Sequence, residues 1–290
     1  MAHSPILIEG LIGAGKSTLV SALQKAAAAD RQGALDLASF HLEPVDRYAS
    51  FKTSDASFDP LKLLYEGKDE DKFAVQLHIC QQSYQYYASR LSNSYHSSNR
   101  VGVFERSIYS NVTFIKTYKR LGFLTDFSAS YLLEIVKQHL DRTFNCFPGL
   151  IIYLDISVEL ALKRIVQRDR TGEHAISAKF LEILKQEQLK QLSQFRRQKI
   201  RGSRNPTTII TLKVDEDTTL EELVKRCSVI IKSYCRFRST ELALMRSEYE
   251  FQRRLDQRKA MKRRRSLPQN FSDKLYWDVL RPVAVGSLIP

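Results

Sequence analysis

Apolar residues in this chain gather into short unbroken runs separated by long stretches with helical spacing. Ile6 to Glu9 is the first run. Val101-Gly-Val-Phe104, Leu150-Ile-Ile-Tyr-Leu154 and Thr208-Ile-Ile-Thr-Leu212 follow, and Phe40-His-Leu42 supplies a fifth. A run that is apolar at every position, rather than at alternate ones, marks a strand buried on both faces. Between the runs, Leu19, Leu23, Ala26 and Ala27 recur at the spacing of a helix over 17–29. Strands alternating with helices predict an α/β fold with a central five-stranded parallel sheet flanked by helices. In such sheets ligands bind at the carboxyl ends of the strands. The informative segments below all lie there.

Composition changes this picture little. The chain has 290 residues, 43% hydrophobic and 27% charged, as expected of a globular protein with a full core. No apolar run approaches the ~18–20 residues that span a membrane. The first strand begins at Ile6, which leaves no room for a signal or transit peptide, so a cytoplasmic protein is expected. Cys80, Cys146, Cys227 and Cys235 are scattered and form no CxxC pair, which argues for reduced thiols and against zinc. His41, His78, His96 and His139 form no spaced cluster and are expected to have ordinary structural or surface roles. Charge is uneven. The net is +13, of which residues 236–265, with eleven Lys or Arg and four Asp or Glu, carry +7. The chain therefore divides into 1–236 and a basic C-terminal extension, 237–290. The extension contains an amphipathic stretch at 239–262 and the cluster Lys262-Arg-Arg-Arg265. Such a cluster suits a nuclear address, a nucleic-acid contact or an acidic partner.

Gly10-Leu-Ile-Gly13-Ala14-Gly15-Lys16-Ser17 fits the phosphate-loop pattern GxxxxGK[ST], between a strand and a helix as that motif requires. Backbone N–H groups from Gly13 to Ser17 can converge on phosphates at the helix N-terminus. Lys16 reaches the outer phosphates and the Ser17 hydroxyl suits Mg²⁺. Thr18, next in the helix, is expected at the bound nucleotide with them. Three further segments follow strands. In Glu43-Pro44-Val45 a carboxylate at a strand end can act as a general base. In Glu105-Arg106-Ser107 the acid suits Mg²⁺ and the guanidinium a phosphoryl group. Arg164, Arg168 and Arg170 suit a lid that neutralises charge during phosphoryl transfer, with 164 and 168 on one helical face.

The order of these pieces resembles the deoxynucleoside kinases, over about Ile6 to Tyr234. "EPV" at 43–45 is similar to the family's general-base segment and "ERSIYS" at 105–110 to its Glu-Arg-Ser signature. "LKRIVQRDRTGEHAI" at 162–176 is similar to its lid, and "TLKVDED" at 211–217 to the loop beside the donor's adenine. The resemblance implies a P-loop kinase with an Arg-rich lid that phosphorylates the 5′-OH of a deoxynucleoside, using ATP and Mg²⁺. It implies Glu43 as the base, Lys16 and Ser17 at the triphosphate and metal, Glu105 at the metal and Arg106 at the reacting 5′ end. Tyr65 and Glu173 would hold the sugar 3′-OH and Gln76 would read the base edge. Arg164, Arg168, Arg170 and the acids Asp215, Glu216 and Asp217 would attend the donor. It also implies a homodimer. The sequence departs from the family at Asn111, where base preference is set, and at Tyr48, a position that is often Trp. Val75 and Ile115 stand where base-sandwiching aromatics are expected, with Phe73 and Phe114 as neighbours able to substitute. Two other readings remain: a nucleoside monophosphate kinase of thymidylate type, and a non-catalytic nucleotide-binding protein acting through its basic tail.

Overall fold

The computed structural model describes residues 4–29, 35–48, 60–96, 100–143, 147–170, 172–197 and 207–237, with 240, 253, 254 and 257 beyond them. The chain divides into two compact units, 1–238 and 239–290. The amphipathic stretch expected at 239–262 falls largely outside the described residues, as do the cluster at 262–265 and Cys146.

The larger unit is built on five parallel strands in the order β2-β3-β1-β4-β5. They are β1 (Ile6–Gly10), β2 (Ala38–His41), β3 (Val101–Glu105), β4 (Leu150–Ile156) and β5 (Thr208–Val214). β1 is central and buried at every position. It pairs with β3 on one side, Ile6 against Val103 and Ile8 against Glu105, and with β4 on the other, Ile6 against Leu150. This explains its unbroken apolar run, since neither face meets water. From β1 the chain passes to β3's side of the sheet for β2 and β3, then crosses to the other side for β4 and β5. The topological switch therefore falls at β1, which places a binding crevice at its carboxyl end.

Helices cover both faces. Those that matter for the site are α1 (Lys16–Ala29), α2 (Val45–Tyr48), α3 (Pro60–Glu66), α4 (Asp69–His96) and α5 (Ile108–Arg120). α6 (Asp126–Arg142), α7 (Val158–Arg168) and α8 (Ala178–Arg197) complete the layers, with a 3₁₀ turn at Glu173–Ala175. A further helix, α9, occupies 220–237. Between β1 and α1 the loop turns on Gly13 (φ 82°) and Gly15 (φ 84°). Gly13 has a second constraint: a Cβ there would lie 2.5 Å from the Ala161 carbonyl of α7. The loop can lie against α7 only without a side chain at 13. From the other side Gln188 of α8 donates to the Gly10 carbonyl at 3.2 Å, tying down the end of β1.

The histidines expected to be structural behave so where described. His41 stacks on Phe104 and bonds to Ser39, His78 bonds to the Arg47 carbonyl, and His139 stacks on Tyr84. Cys80, Cys227 and Cys235 are buried and form no disulfide. Among the described residues no group of three or more His, Cys, Asp or Glu is arranged for a metal, and no helix is long and apolar enough to cross a membrane.

Candidate active site

A cavity of about 280 Å³ opens at the carboxyl ends of β1 and β3. That is near the lower end of the range for small-molecule sites. The phosphate loop forms one wall with Gly13, Gly15, Lys16, Ser17 and Thr18. Glu43, Glu105 and Arg106 stand beside it, and Tyr48, Tyr65, Gln76, Asn111, Arg168, Arg170 and Glu173 complete it. These residues come from segments more than a hundred positions apart. Gly10 and Ala14, also expected at the phosphates, support the loop from behind: Gly10 packs against Leu154 and Ala14 is fully buried.

The strand register explains how the charged groups meet. Ile8 lies opposite Glu105, and the Arg106 N–H donates to the Ile8 carbonyl at 3.1 Å. The end of β3 is thereby held beside the phosphate loop. Arg106 then adopts a left-handed backbone, φ 60°, costly for a residue with a side chain and common where function demands a particular orientation. Its guanidinium is buried and donates through Nε to Glu43 Oε2 at 2.9 Å. Glu43 is fixed in turn: its backbone N–H reaches Glu105 Oε2 at 3.3 Å, and Pro44 leads directly into α2. Glu105 Oε1 accepts from the Ser17 hydroxyl at 2.6 Å.

One member of this cluster carries no sequence signal. Glu9, at the end of β1, is buried and accepts from the Ser110 hydroxyl at 2.7 Å and more weakly from Ser107 at 3.4 Å. Ser110 also accepts from the Ser107 N–H, so Glu9 anchors the start of α5 just behind Arg106. Burial raises its pKa, opposed by Arg106, Ser110 and Lys16. Arg106 shows the reverse balance. Burial works against its charge, yet Glu43, Glu9 and Glu105 hold its pKa above the ordinary value.

Lys16 is buried and donates to the Leu11 carbonyl at 2.6 Å. Burial and the nearby Arg106 pull its pKa down to about 7 against the pull of the three carboxylates. A triphosphate seated over this loop would favour the charged ammonium and raise that value. Triphosphate binding at pH 8, where the phosphates are already ionised, should therefore take up protons. In titration calorimetry the observed enthalpy should vary with buffer ionisation enthalpy with the sign of proton uptake. A zero slope, or one of opposite sign, would contradict this assignment.

The opposite end of the cavity is neutral. Tyr48 and Ser83 are buried and bonded to each other at 3.0 Å. Gln76 is 2% exposed, and its amide nitrogen has only a weak contact to the Cys80 sulfur at 3.6 Å. The Asn111 amide nitrogen and Arg106 Nη1 are buried without a hydrogen-bond partner, whereas the buried Tyr118 hydroxyl bonds with Tyr65. Unsatisfied donors concentrated on one cavity are what a polar ligand would satisfy. Phe114 lines this end with Arg106 over its ring at 4.9 Å, and Tyr86 and Tyr87 join it. Phe73, the other expected substitute, lies outside the cavity lining and packs towards Tyr131, while Val75 and Ile115 belong to the core.

The arginines expected to act together separate. Arg168 and Arg170 line the cavity and pair with Glu173. Arg164 reaches the Asp215 carbonyl at 3.5 Å instead, and its neighbour Lys163 bonds Glu216 at 2.8 Å. A four-residue spacing keeps 164 and 168 on one face but a full turn apart. Arg164 thus meets the loop after β5 while Arg168 reaches the cavity. Asp215, Glu216 and Asp217 lie on that loop, outside the cavity lining.

An all-parallel sheet, a phosphate loop at its switch point and an acid–arginine pair facing that loop define a P-loop protein of the nucleotide-kinase class. The family profile described as deoxynucleoside kinase matches residues 6–234, and the chain belongs to that family. It is 31% identical to a deoxyadenosine kinase of Dictyostelium discoideum over 179 residues, 62% of each chain. It is 28% identical to a deoxyguanosine kinase of Lactobacillus johnsonii, over 58% of this chain and 65% of that one. The matched region thus spans a little under two thirds of these relatives' own length. A solved deoxyadenosine kinase from M. mycoides, with dCMP and dCDP as products, superposes with a TM-score of 0.53 at 17% identity. That superposition covers 79% of this chain and 99% of the other, and it supports the fold.

Proposed function

We propose that this chain transfers the γ-phosphoryl group of ATP to the 5′-hydroxyl of a deoxynucleoside. The observation that carries the reading is the meeting of Glu43 and Arg106, 2.9 Å apart, with the phosphate loop in one cavity. The carboxylate accepts the proton of the attacking hydroxyl. Arg106, Lys16 and Arg168 present positive charge to the group in transit, and the rigid loop supplies in-line positioning. Tyr65 and Glu173 bind the sugar, while Gln76 and Asn111 offer amides to the base edge. Each amide can donate and accept.

The donor set fits Mg²⁺. Ser17 and Glu105 place two oxygens 2.6 Å apart beside the loop, and Mg²⁺ typically takes one or two protein oxygens and completes its shell with phosphates and water. When bound, the ion supplies neutralisation of the phosphate charge. Arg164, one turn of α7 before Arg168, and the 215–217 loop it reaches are the groups available to the donor's base.

The test is a panel of the four deoxynucleosides and thymidine monophosphate with labelled ATP and Mg²⁺. The reading expects label at the 5′ position of at least one deoxynucleoside, and turnover far above that with the monophosphate. Preference for the monophosphate would favour a thymidylate-type enzyme. No transfer to any acceptor would leave a nucleotide-binding protein without catalysis.

A further inference from the structure

Glu173 carries two arginines on one carboxylate. Arg168 Nη2 donates to Oε2, and Arg170 Nη1 approaches Oε1 at 3.5 Å. The Glu173 side chain is only 10% exposed, whereas Arg168 and Arg170 are 36% and 42% exposed. The backbone is shaped for this arrangement. Asp169 ends α7 in the left-handed region (φ 49°), and Gly172 (φ 83°) opens the 3₁₀ turn that begins at Glu173. With those two turns, residue 173 comes back beneath residues 168 and 170. α3 packs against the same turn, so Tyr65 meets the Glu173 charge, which helps burial to raise the tyrosine's pKa.

A guanidinium has five N–H donors, and this carboxylate engages one from each arginine. The rest of each fork stays free for phosphoryl oxygens. Each carboxylate oxygen has a second lone pair, so a sugar hydroxyl can dock without displacing either arginine. We propose that Glu173 is a positioning residue. The 3′-hydroxyl of the substrate steadies the carboxylate, and the carboxylate holds Arg168 and Arg170 at the angle where they meet the transferring group. Sugar recognition and charge neutralisation are then one linked event. This inference rests on the kinase reading above.

Steady-state kinetics separate the proposal from simple sugar binding. Glutamine at 173 keeps an acceptor for the 3′-hydroxyl but has no charge to hold two guanidiniums. Glu173→Gln should lower kcat by about ten- to a hundredfold, with KM for the deoxynucleoside within about threefold of wild type. Wild-type enzyme given a 2′,3′-dideoxynucleoside should likewise lose kcat several-fold, a result that needs no variant to fold. In an Arg168→Lys, Arg170→Lys background, where both forks are gone, Glu173→Gln should cost kcat no more than about threefold. A raised KM with kcat unchanged, for the variant or the dideoxy substrate, would overturn the proposal, as would full additivity with the double Arg→Lys change. A wild-type chain inert towards every deoxynucleoside would instead overturn the parent reading and this one with it.

Discussion

Replacing Glu43 with glutamine should lower kcat by about 10²–10⁴-fold while the deoxynucleoside still binds. Glutamine has nearly the same shape and keeps an oxygen to accept from Arg106 Nε, so the local architecture should persist. What disappears is the ability to take a proton. The carboxylate is pinned from two sides, by Arg106 on its side chain and by Glu105 on its backbone, so it has little freedom to be replaced by a neighbour. Turnover by coupled assay and affinity by titration with the nucleoside give the two numbers. Near-wild-type turnover would remove Glu43 from the mechanism. A loss of affinity matching the loss of turnover would make it a binding residue only.

Arg106→Met should damage stability as much as activity. The guanidinium is buried, and Glu43, Glu9 and Glu105 all interact with it. Methionine fills much of the volume but leaves three carboxylates without their principal counter-charge. Breaking a buried pair from one side costs about 3–5 kcal/mol, or about 6–20 °C in Tm for a domain of this size. The deficit should depend on pH in a definite direction. Burial already raises the Glu9 pKa and Arg106 holds it down, so without Arg106 its folded-state value lies further above its unfolded one, and protonation favours the folded variant. The gap from wild type should therefore narrow as pH falls from 8 towards 5 and widen as pH rises. A thermal melt series in that range checks both size and sign. A variant as stable as wild type at pH 8 would mean that the buried acids do not depend on Arg106 for their counter-charge.

Much of this architecture can be read from the residues because its strongest signals are local. β1, β3 and β4 are buried and paired on both sides, and buried parallel strands leave unbroken apolar runs. β5 corrects the expectation of a strand buried on both faces: its apolar run marks the strand, but it lies at the sheet edge and is largely exposed or half-buried. The phosphate loop is legible because its glycines answer to backbone geometry and to Ala161. β2 is less so. It runs Ala38–His41, two residues earlier than the apolar cue of Phe40 suggests, because Ala38 and Ser39 pair well without being bulky. β4 and β5 continue to Ile156 and Val214, past the runs that announce them.

The site is legible where a residue lies inside a motif and obscure where tertiary contacts make it. Glu9 reads as an ordinary acid at a strand end. Its role depends on Ser107 and Ser110, about a hundred residues away. The pairing of Arg168 with Glu173 has a five-residue spacing that no regular helix brings together, and left-handed turns at 169 and 172 create it. Tyr86 and Tyr87 of α4 and Tyr118 of α5 reach the cavity, whereas Tyr84 of α4 stacks on His139. Helical spacing alone does not say which of four nearby tyrosines faces the ligand.

The most direct measurement is a crystal structure of the wild-type protein with a deoxynucleoside and a triphosphate analogue bound together. The account predicts the sugar's 5′-oxygen within about 2.6–3.2 Å of the Glu43 carboxylate, in line with the terminal phosphate seated over Gly13 to Ser17. A nucleoside bound with its 5′-oxygen turned away from Glu43, or lodged outside the cavity, would contradict it.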